Sequence, residues 1–367
     1  MFRSLVFFVA AWSTSSFARA QNAPRYHIPD DVNCNSCAIS ARRILAIETS
    51  SERQWGDRIP AAIRTDSRGR FWVMGQDAPR VYNAAGLLIR DESSWGGVKF
   101  VNASDAISLP GDSILVLDAA QEKATIFDDQ LNAVRSIALG IPANTGMILQ
   151  WPTRVILNGL VPTTDAAGFP LHETSFSGSV SALVSSFGSD STGKLRISAE
   201  ANMLQSLSID SDGNFWSAEL GTYRLGHWSA RPRLIKTIIR DADWFPGSES
   251  PRLGGPTKPP SPLVVAIQSD TGGLVWVFSR IPSSKWQSAW PPVSPGLVEV
   301  AITSRTVSTL YNSVVEVLDT RRRRVLSRVS IPEVVISVLP NQRAVFLSSD
   351  VKLPSLIVIQ FEAKIKK

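Results

Sequence analysis

Short runs in which apolar and polar residues alternate recur along most of the chain, and a turn rich in Gly, Asp or Asn follows many of them. This alternation is typical of β-strands that bury one face. Long stretches with apolar residues at helical spacing and capping residues at their ends are almost missing. The pattern therefore predicts an all-β protein.

One unit of this pattern repeats: a strand, an Asp-x-x-Gly turn, and a second strand that contains Trp. Its copies occupy residues 62–73, 207–217 and 267–277. The turns begin at Asp66, Asp210 and Asp270. Asp in this position accepts hydrogen bonds from the backbone ahead of it, and Gly adopts a positive φ without steric cost. We expect the three Asp residues to be structural and the Trp side chains to pack between neighbouring sheets.

Weaker copies and further hairpins extend the unit to four strands. The weaker copies occupy residues 106–118, 147–157 and 335–347. Outer hairpins follow at residues 80–89, 124–137 and 314–329. A four-stranded unit that repeats six times predicts a six-bladed β-propeller. The expected blades occupy residues 61–98, 100–140, 146–188, 195–240, 263–331 and 334–363.

The last blade has only three strands of its own, at residues 334–339, 344–348 and 356–361. A sheet edge left unpaired invites aggregation. A spare strand lies near the start of the chain, at residues 41–48. We expect it to become the fourth strand of the last blade and to close the ring, so that one propeller domain spans residues 39–364.

The D-x-x-G-x-(F/L)-W pattern resembles the six-bladed propellers of the NHL, TolB-like and gluconolactonase group, and the resemblance covers residues 39–364. The third copy departs from the pattern, with Val275 before Trp276. The opening Cys-x-x-Cys-x-Ile, followed by a strand, is also similar to exported bacterial propellers of unknown role. The resemblance implies a fold rather than one function, because propellers host many functions.

The gluconolactonase resemblance implies one activity, in which carboxylate and amide ligands hold a divalent metal in the channel of a lactone hydrolase. The predicted innermost strands instead carry mostly hydroxyl and amide side chains: Ile63, Arg64, Ser108, Gln150, Ser206, Ser208, Gln268 and Ser337. No His lies in a recognisable motif with a nucleophile and a carboxylate. We predict no catalytic residue, no metal ligand and no cofactor, and keep the metal-dependent hydrolase as the alternative.

The first twenty residues have the features of a signal peptide. Arg3 precedes an apolar run at residues 5–12, and Ala18-Arg19-Ala20 has the small-x-small form of a cleavage site. The apolar run is shorter than the roughly 20 residues that a spanning helix needs. We expect cleavage after Ala20 and a periplasmic or secreted protein without a transmembrane segment; the alternative is a membrane anchor that is retained.

Residues 21–38 form an N-terminal segment that holds both cysteines, Cys34 and Cys37. Ala38 stands where a c-type haem site needs His, and a zinc site needs about four ligands. An oxidising compartment favours a local disulfide. Free or redox-active thiols and a metal site remain the alternatives.

The charge of the chain is modest, at +6. Basic residues gather late, and four of them form a run at Arg321–Arg324. Nucleic-acid grooves interleave such charges with aromatic residues, which this run lacks, so no nucleic-acid partner is predicted. The run is either an anion or anionic-lipid contact or, as we favour, a solvated turn that discourages edge pairing.

Long connections interrupt the repeat at residues 241–262 and 280–312, and a lesser insertion at residues 163–174 carries His172. Connections of this length are often functional. Trp244, Trp286 and Trp290 either line a binding surface at one mouth of the channel or pack their own loops onto the blades, which we favour. Together with His172 and Arg64, they are the candidate binding residues.

These features predict a monomeric, non-enzymatic binding or scaffold protein. Its expected ligand is a protein, a peptide or a glycan that contacts the loops at one mouth of the channel.

Overall fold

The computed structural model describes residues 23–32, 34, 36–47, 59–75, 77–140, 143–150, 154–159, 169–177, 179–188, 204–231, 233–248, 251–290, 303–348 and 355–365. The expected signal peptide and its cleavage site lie outside these residues.

The first three blades contain four strands each. Blade 1 is formed by β3 (Ala62–Thr65), β4 (Phe71–Met74), β5 (Arg80–Tyr82) and β6 (Leu88–Arg90). Blade 2 is formed by β7 (Ala103–Ser108), β8 (Ile114–Asp118), β9 (Lys123–Phe127) and β10 (Ala133–Ala138). Blade 3 is formed by β11 (Ala143–Gln150), β12 (Arg154–Gly159), β13 (Leu171–Ser177) and β14 (Val180–Phe187).

The last three blades follow, and two strands from the N-terminal segment join them. Blade 4 is formed by β15 (Gln205–Ile209), β16 (Phe215–Glu219), β17 (Arg224–Trp228) and β18 (Leu234–Arg240), with β1 (Arg25–Ile28) beside β18. Blade 5 is formed by β19 (Leu263–Ser269), β20 (Val275–Pro282), β21 (Tyr311–Asp319) and β22 (Arg324–Ile331). Blade 6 is formed by β23 (Val334–Leu339), β24 (Arg343–Leu347), β25 (Leu356–Lys364) and β2 (Ala38–Ile47).

The six blades surround a central axis. The innermost strands β3, β7, β11, β15, β19 and β23 contact one another in that order, and β23 contacts β3. Blades 2 and 3 are joined by a single parallel pair, Ala138 with Val180, and are otherwise separate sheets. The prediction of a six-bladed all-β propeller is confirmed. The described residues also include short helical segments: the 3₁₀ turns Glu92–Ser94 and Trp286–Ala289, and helix α1 (Ser304–Leu310).

β2 lies antiparallel to β25 as the outer strand of blade 6, with Ala38 opposite Lys364 and Ile47 opposite Leu356. The strand begins earlier than the sequence indicated, directly after Cys37. Cys37 is bonded to Cys34 in a disulfide. That β2 is needed to close the ring stays a prediction, and it is taken up in the Discussion.

β1 is a strand that the repeat did not predict. It lies parallel to β18, with Arg25 opposite Thr237 and Ile28 opposite Arg240, and so forms a fifth, outer strand of blade 4. The N-terminal segment therefore runs along blade 4 before it enters blade 6.

Two of the three Asp-x-x-Gly turns hold the Trp of the following strand, whereas Asp210 Oδ2 of the third lies 2.9 Å from His227 Nε2. Asp66 accepts backbone hydrogen bonds of its turn through Oδ1 and one from Trp72 Nε1 through Oδ2, at 2.9 Å. Asp270 is placed in the same way towards Trp276 Nε1, at 3.3 Å. The turn fixes the indole, and this agrees with the structural role expected for these residues.

The indoles pack between neighbouring blades. The ring of Trp72 in blade 1 lies 5.9 Å from that of Phe127 in blade 2, and both side chains are fully buried. The ring of Trp276 in blade 5 lies 6.3 Å from that of Phe361 in blade 6. The hydrophobic core is thus divided among the blade interfaces, and the axis is left for a channel.

Candidate functional site

A cavity of about 630 Å³ lies in the central channel. Its described walls come mainly from the innermost strands of blades 1, 2, 4, 5 and 6, and they include no aromatic residue and no Asp or Glu. Apolar residues form most of the wall, and Arg64, Arg280, Gln205 and Gln268 contribute polar groups. The volume is typical of sites for small ligands.

Serine hydroxyls of the innermost strands are used to join neighbouring blades. Ser337 Oγ donates to the carbonyl oxygen of Ile63 at 2.8 Å, and Ser208 Oγ accepts from the backbone N–H of Ser269 at 3.0 Å. The hydroxyl-rich character of these strands therefore has a structural cause, because the bonds connect the backbones of adjacent blades.

The two long connections lie at the same end of the channel. Strands within a blade alternate in direction, so the turn after the first strand and the connection after the second lie at opposite ends. The Asp-x-x-Gly turns mark one end. The described residues of the two connections lie at the other: residues 241–248 and 251–262 between blades 4 and 5, and residues 283–290 and 303–310 between β20 and β21. Ser248 in the first connection donates from its backbone N–H to the carbonyl of Gly221, which follows β16, at 2.7 Å.

Trp286 and Trp290 flank the 3₁₀ turn of the second connection. Both are half-buried against a core cluster that also contains Ile59 and Leu263. Ile59 also lines the channel cavity. Between the two rings, Gln287 is exposed. The connection therefore packs onto the blades while part of each indole stays at the surface of this mouth.

Trp244 is placed differently from the other two candidate tryptophans. Its Nε1 donates to Asp30 Oδ1 at 3.2 Å, and its ring packs edge-on against Tyr223 and Phe245 at 5.9 and 5.7 Å. The guanidinium of Arg328 lies 5.1 Å from the ring. These contacts hold the connection that carries Trp244 onto blades 4 and 5.

Arg64 lies in the channel wall, but its charge is paired. Its Nε lies 2.8 Å from Asp105 Oδ1, and Nη2 donates to Asp105 Oδ2 at 3.1 Å. Nη1 donates to Ser337 Oγ at 2.8 Å. The three residues come from blades 1, 2 and 6, so this bidentate pair connects three neighbouring innermost strands.

Arg280 is a channel residue that the sequence analysis did not single out. It lies near the end of β20, directly before the second long connection, and its Nε donates to the carbonyl of Val335 at 2.8 Å. Nη1 and Nη2 have no acceptor among the residues that the structure describes. Burial lowers the pKa of Arg280 to about 10.

His172 belongs to a strand and not to an insertion, which corrects its expected position. It lies in β13 and is fully buried. Its Nδ1 lies 2.9 Å from Ser186 Oγ and its Nε2 3.2 Å from the carbonyl of Gly159. A carbonyl can only accept, so Nε2 carries the proton and Nδ1 accepts from Ser186. Burial lowers the pKa of His172 to about 4.

We expect His172 to make the protein less stable as the pH falls from about 6.5 to about 4. Across this range the unfolded chain binds a proton at His172 that the folded chain does not, so stability is lost by about 3 kcal/mol. Urea unfolding of the wild type and of His172→Gln at pH 7 and pH 4.5 should show a smaller acid loss for the variant. Equal acid losses for the wild type and the variant would contradict the expectation.

A buried charge network lies between blades 4 and 5, outside the channel. Glu316 accepts from Tyr223 Oη at 2.6 Å, from Arg240 Nη2 at 3.0 Å and from Arg328 Nε at 2.7 Å. Asp30 completes the network by pairing with both arginines. Burial and the charge of Glu316 raise the pKa of Tyr223, and hydrogen bonds from the arginines lower that of Asp30 against an opposing effect of burial.

Arg321, Arg322 and Arg323 lie in the turn between β21 and β22, as the sequence indicated, and Arg324 is the first residue of β22. Arg322 and Arg324 lie within 4 Å of Asp319, and Arg323 stacks on the ring of Tyr26 at 3.7 Å. Part of this charge is thus paired with the protein itself.

Within the described part of the chain, no group of three or more His, Cys, Asp or Glu residues is arranged to hold a metal ion. Among the same residues, no helix is both long and apolar enough to cross a membrane.

Solved structures of other proteins have a similar fold. A member of the DUF4221 family from Bacteroides vulgatus superposes with a TM-score of 0.61, at 9% identity, over 90% of this chain and 99% of its own. A putative exported protein from Bacteroides fragilis superposes with a TM-score of 0.53, at 9% identity, over 94% of this chain and 100% of its own. At such identities the likeness shows the fold alone. No protein-family model matches the sequence, and no curated protein matches it.

Proposed function

We propose that this protein is an extracytoplasmic binding or scaffold propeller without catalytic activity of its own. It engages a protein, a peptide or a glycan at the mouth that carries the described residues of the two connections, 241–248, 251–262, 283–290 and 303–310. The observation that carries the proposal is the position of these connections, because both lie at one end of a channel that contains a cavity of about 630 Å³.

Several features support this mouth as the binding surface. The partly exposed rings of Trp286 and Trp290 offer apolar area, and tryptophan is typical of the residues that dominate interfaces. The Nε1 of Trp290 is itself buried, so this ring contributes apolar area only. Lys285, Gln287 and Ser288 are exposed beside them. Trp244 and His172 are engaged in the contacts described above, so the proposal assigns them to the support of the fold.

Two features support an extracytoplasmic location. The disulfide between Cys34 and Cys37 suits an oxidising compartment. The N-terminal sequence has the charge, apolar length and small residues of a signal peptide.

Photo-crosslinking from Gln287 tests the mouth without disturbing the core. A photoreactive residue at this exposed position should crosslink a partner when the protein is expressed in its own cells. The same residue at Val134, which is 64% exposed on the outer strand of blade 2, is the matched control. The proposal predicts adducts from position 287 and none of the same mass from position 134. Adducts from 134 alone, or from neither position, would contradict it.

A further inference from the structure

Arg280 is a cation in the channel that has no carboxylate partner among the residues that the structure describes. The described cavity wall contains no Asp or Glu, and Asp105, an acidic residue on one of the wall strands, is already paired with Arg64. A desolvated charge is costly unless a group of opposite charge meets it. The other channel arginine shows the contrast, since its guanidinium is bonded at every nitrogen.

The side chain of Arg280 is held in position. Its Nε–H donates to the carbonyl of Val335 on the neighbouring innermost strand, and its backbone is paired on both sides, opposite Leu263 and Ser313. Nη1 and Nη2 remain as donors in the cavity wall. A fixed guanidinium with two nitrogens that have no acceptor among the described residues matches the geometry of a carboxylate, which accepts two parallel hydrogen bonds.

The rest of the cavity wall determines what kind of chemical group, apart from an anion, the ligand can have. Its wall is built mostly from Ala, Val, Leu and Ile of the innermost strands, and it offers no aromatic ring within the described residues. Sugar rings would require a more polar wall, whereas an aliphatic body fits this one. Arg280 lies directly before the connection that carries Trp286, so the cation is at the mouth proposed above for binding.

We infer that the channel binds a monocarboxylate with an apolar body, and that Arg280 receives the carboxylate group. The inference rests on the proposed binding function and deepens it by naming the class of ligand. Two sources share this chemistry: the C-terminus of an apolar peptide and a free aliphatic acid.

Calorimetric titration of the full chain with defined probes tests the inference. The probes are octanoate, octanamide, acetyl-Leu-Leu-Leu with a free carboxylate, the same peptide with a C-terminal amide, and acetate. We expect octanoate or the free peptide, or both, to bind, and the stronger of the two identifies the source. Each amide should bind at least about tenfold more weakly than its acid, because a charge-assisted hydrogen bond is lost.

Substitutions locate the effect at Arg280. Arg280→Gln should reduce the affinity for the acid to that for the amide, and Arg280→Lys should give an intermediate affinity because it retains the charge but not the fork. Arg135→Gln, at an exposed position on β10, is the matched control and should bind as the wild type. If Arg280→Gln does not fold, the affinity of Arg280→Lys for the acid is compared with that of the wild type instead.

Three results would overturn the inference: no acid binds the wild type at millimolar concentration, acetate binds as tightly as octanoate and the free peptide, or the Arg280 variants bind the acid as the wild type does. Crosslinks from Gln287 that persist in any of these cases would leave the proposed binding function standing. If the acids do not bind and the crosslinks from Gln287 are also absent, both the inference and the proposed binding function are wrong.

Discussion

A chain that begins at residue 59, and so lacks β1 and β2, is expected to aggregate rather than to fold as a stable monomer. Without β2, strand β25 becomes an open edge along its nine residues. The buried side chains of Ile47 and its neighbours would also leave the interface of blades 6 and 1. An exposed, long and apolar edge is a template for pairing with other chains. Size-exclusion chromatography and urea unfolding measure the outcome.

A circular permutant supplies the matched control. Ala38 lies opposite Lys364, so a short turn can join the end of β25 to the start of β2. A chain that begins at residue 59 and ends with residues 36–47 after this turn lacks β1 but regains β2. It should be monomeric and unfold cooperatively. If the truncated chain is as monomeric and as stable as the permutant, β2 does not close the ring.

Glu316→Ala is expected to lower the free energy of unfolding by about 3–5 kcal/mol. The side chains of Glu316 and Arg240 are 1% and 0% exposed, so the substitution leaves a buried guanidinium with Asp30 as its remaining carboxylate partner. Tyr223 loses its acceptor as well. Urea unfolding monitored by tryptophan fluorescence measures the change.

A double variant separates loss of charge balance from loss of packing. Glu316→Gln with Arg240→Gln removes one charge of each sign and leaves Asp30 paired with Arg328. It should be less destabilised than the sum of the two single variants, because each single variant leaves a charge uncompensated. Glu362→Gln, at an exposed position on β25, should change stability by less than about 0.5 kcal/mol. Strict additivity, or a large effect at Glu362, would contradict this explanation.

The fold was readable from the sequence because its signals are local. Asp66 and Asp270 each bond the backbone of their own turn and the indole six residues ahead, so a short motif specifies both the hairpin and the buried Trp. The alternation of apolar residues around these turns then gives the four-stranded unit. The pairing of β2 with the last blade followed from the same count, since that blade was one strand short.

β1 could not be predicted in this way. It has only four residues, and its parallel partner in β18 lies more than two hundred positions away. Parallel pairing at an outer edge leaves no periodic signal in the repeat. Its position depends on long-range contacts such as those of Asp30 with Arg240 and Arg328, which bring three distant segments together.

The candidate site was only partly predictable for a related reason. The sequence indicated that Trp286 and Trp290 lie on a long connection and favoured packing of that connection onto the blades, but it could not specify which core residues the two rings contact. The sequence alone does not distinguish Arg64 from Arg280. Arg64 meets its acidic partner, and Arg280 meets none among the described residues, only once the blades have assembled. Burial of His172 between β12 and β14 likewise depends on strand pairing.

Hydrogen–deuterium exchange of the intact protein tests the closed ring most directly, because it changes no residue. Amides that bond within a stable sheet exchange slowly. The account predicts that peptides covering β2 (Ala38–Ile47) retain deuterium protection at the amides bonded to β25, and that they lose it together with β24 (Arg343–Leu347) as urea is added. Rapid exchange throughout β2, while β24 remains protected, would contradict a ring that the N-terminal strand completes.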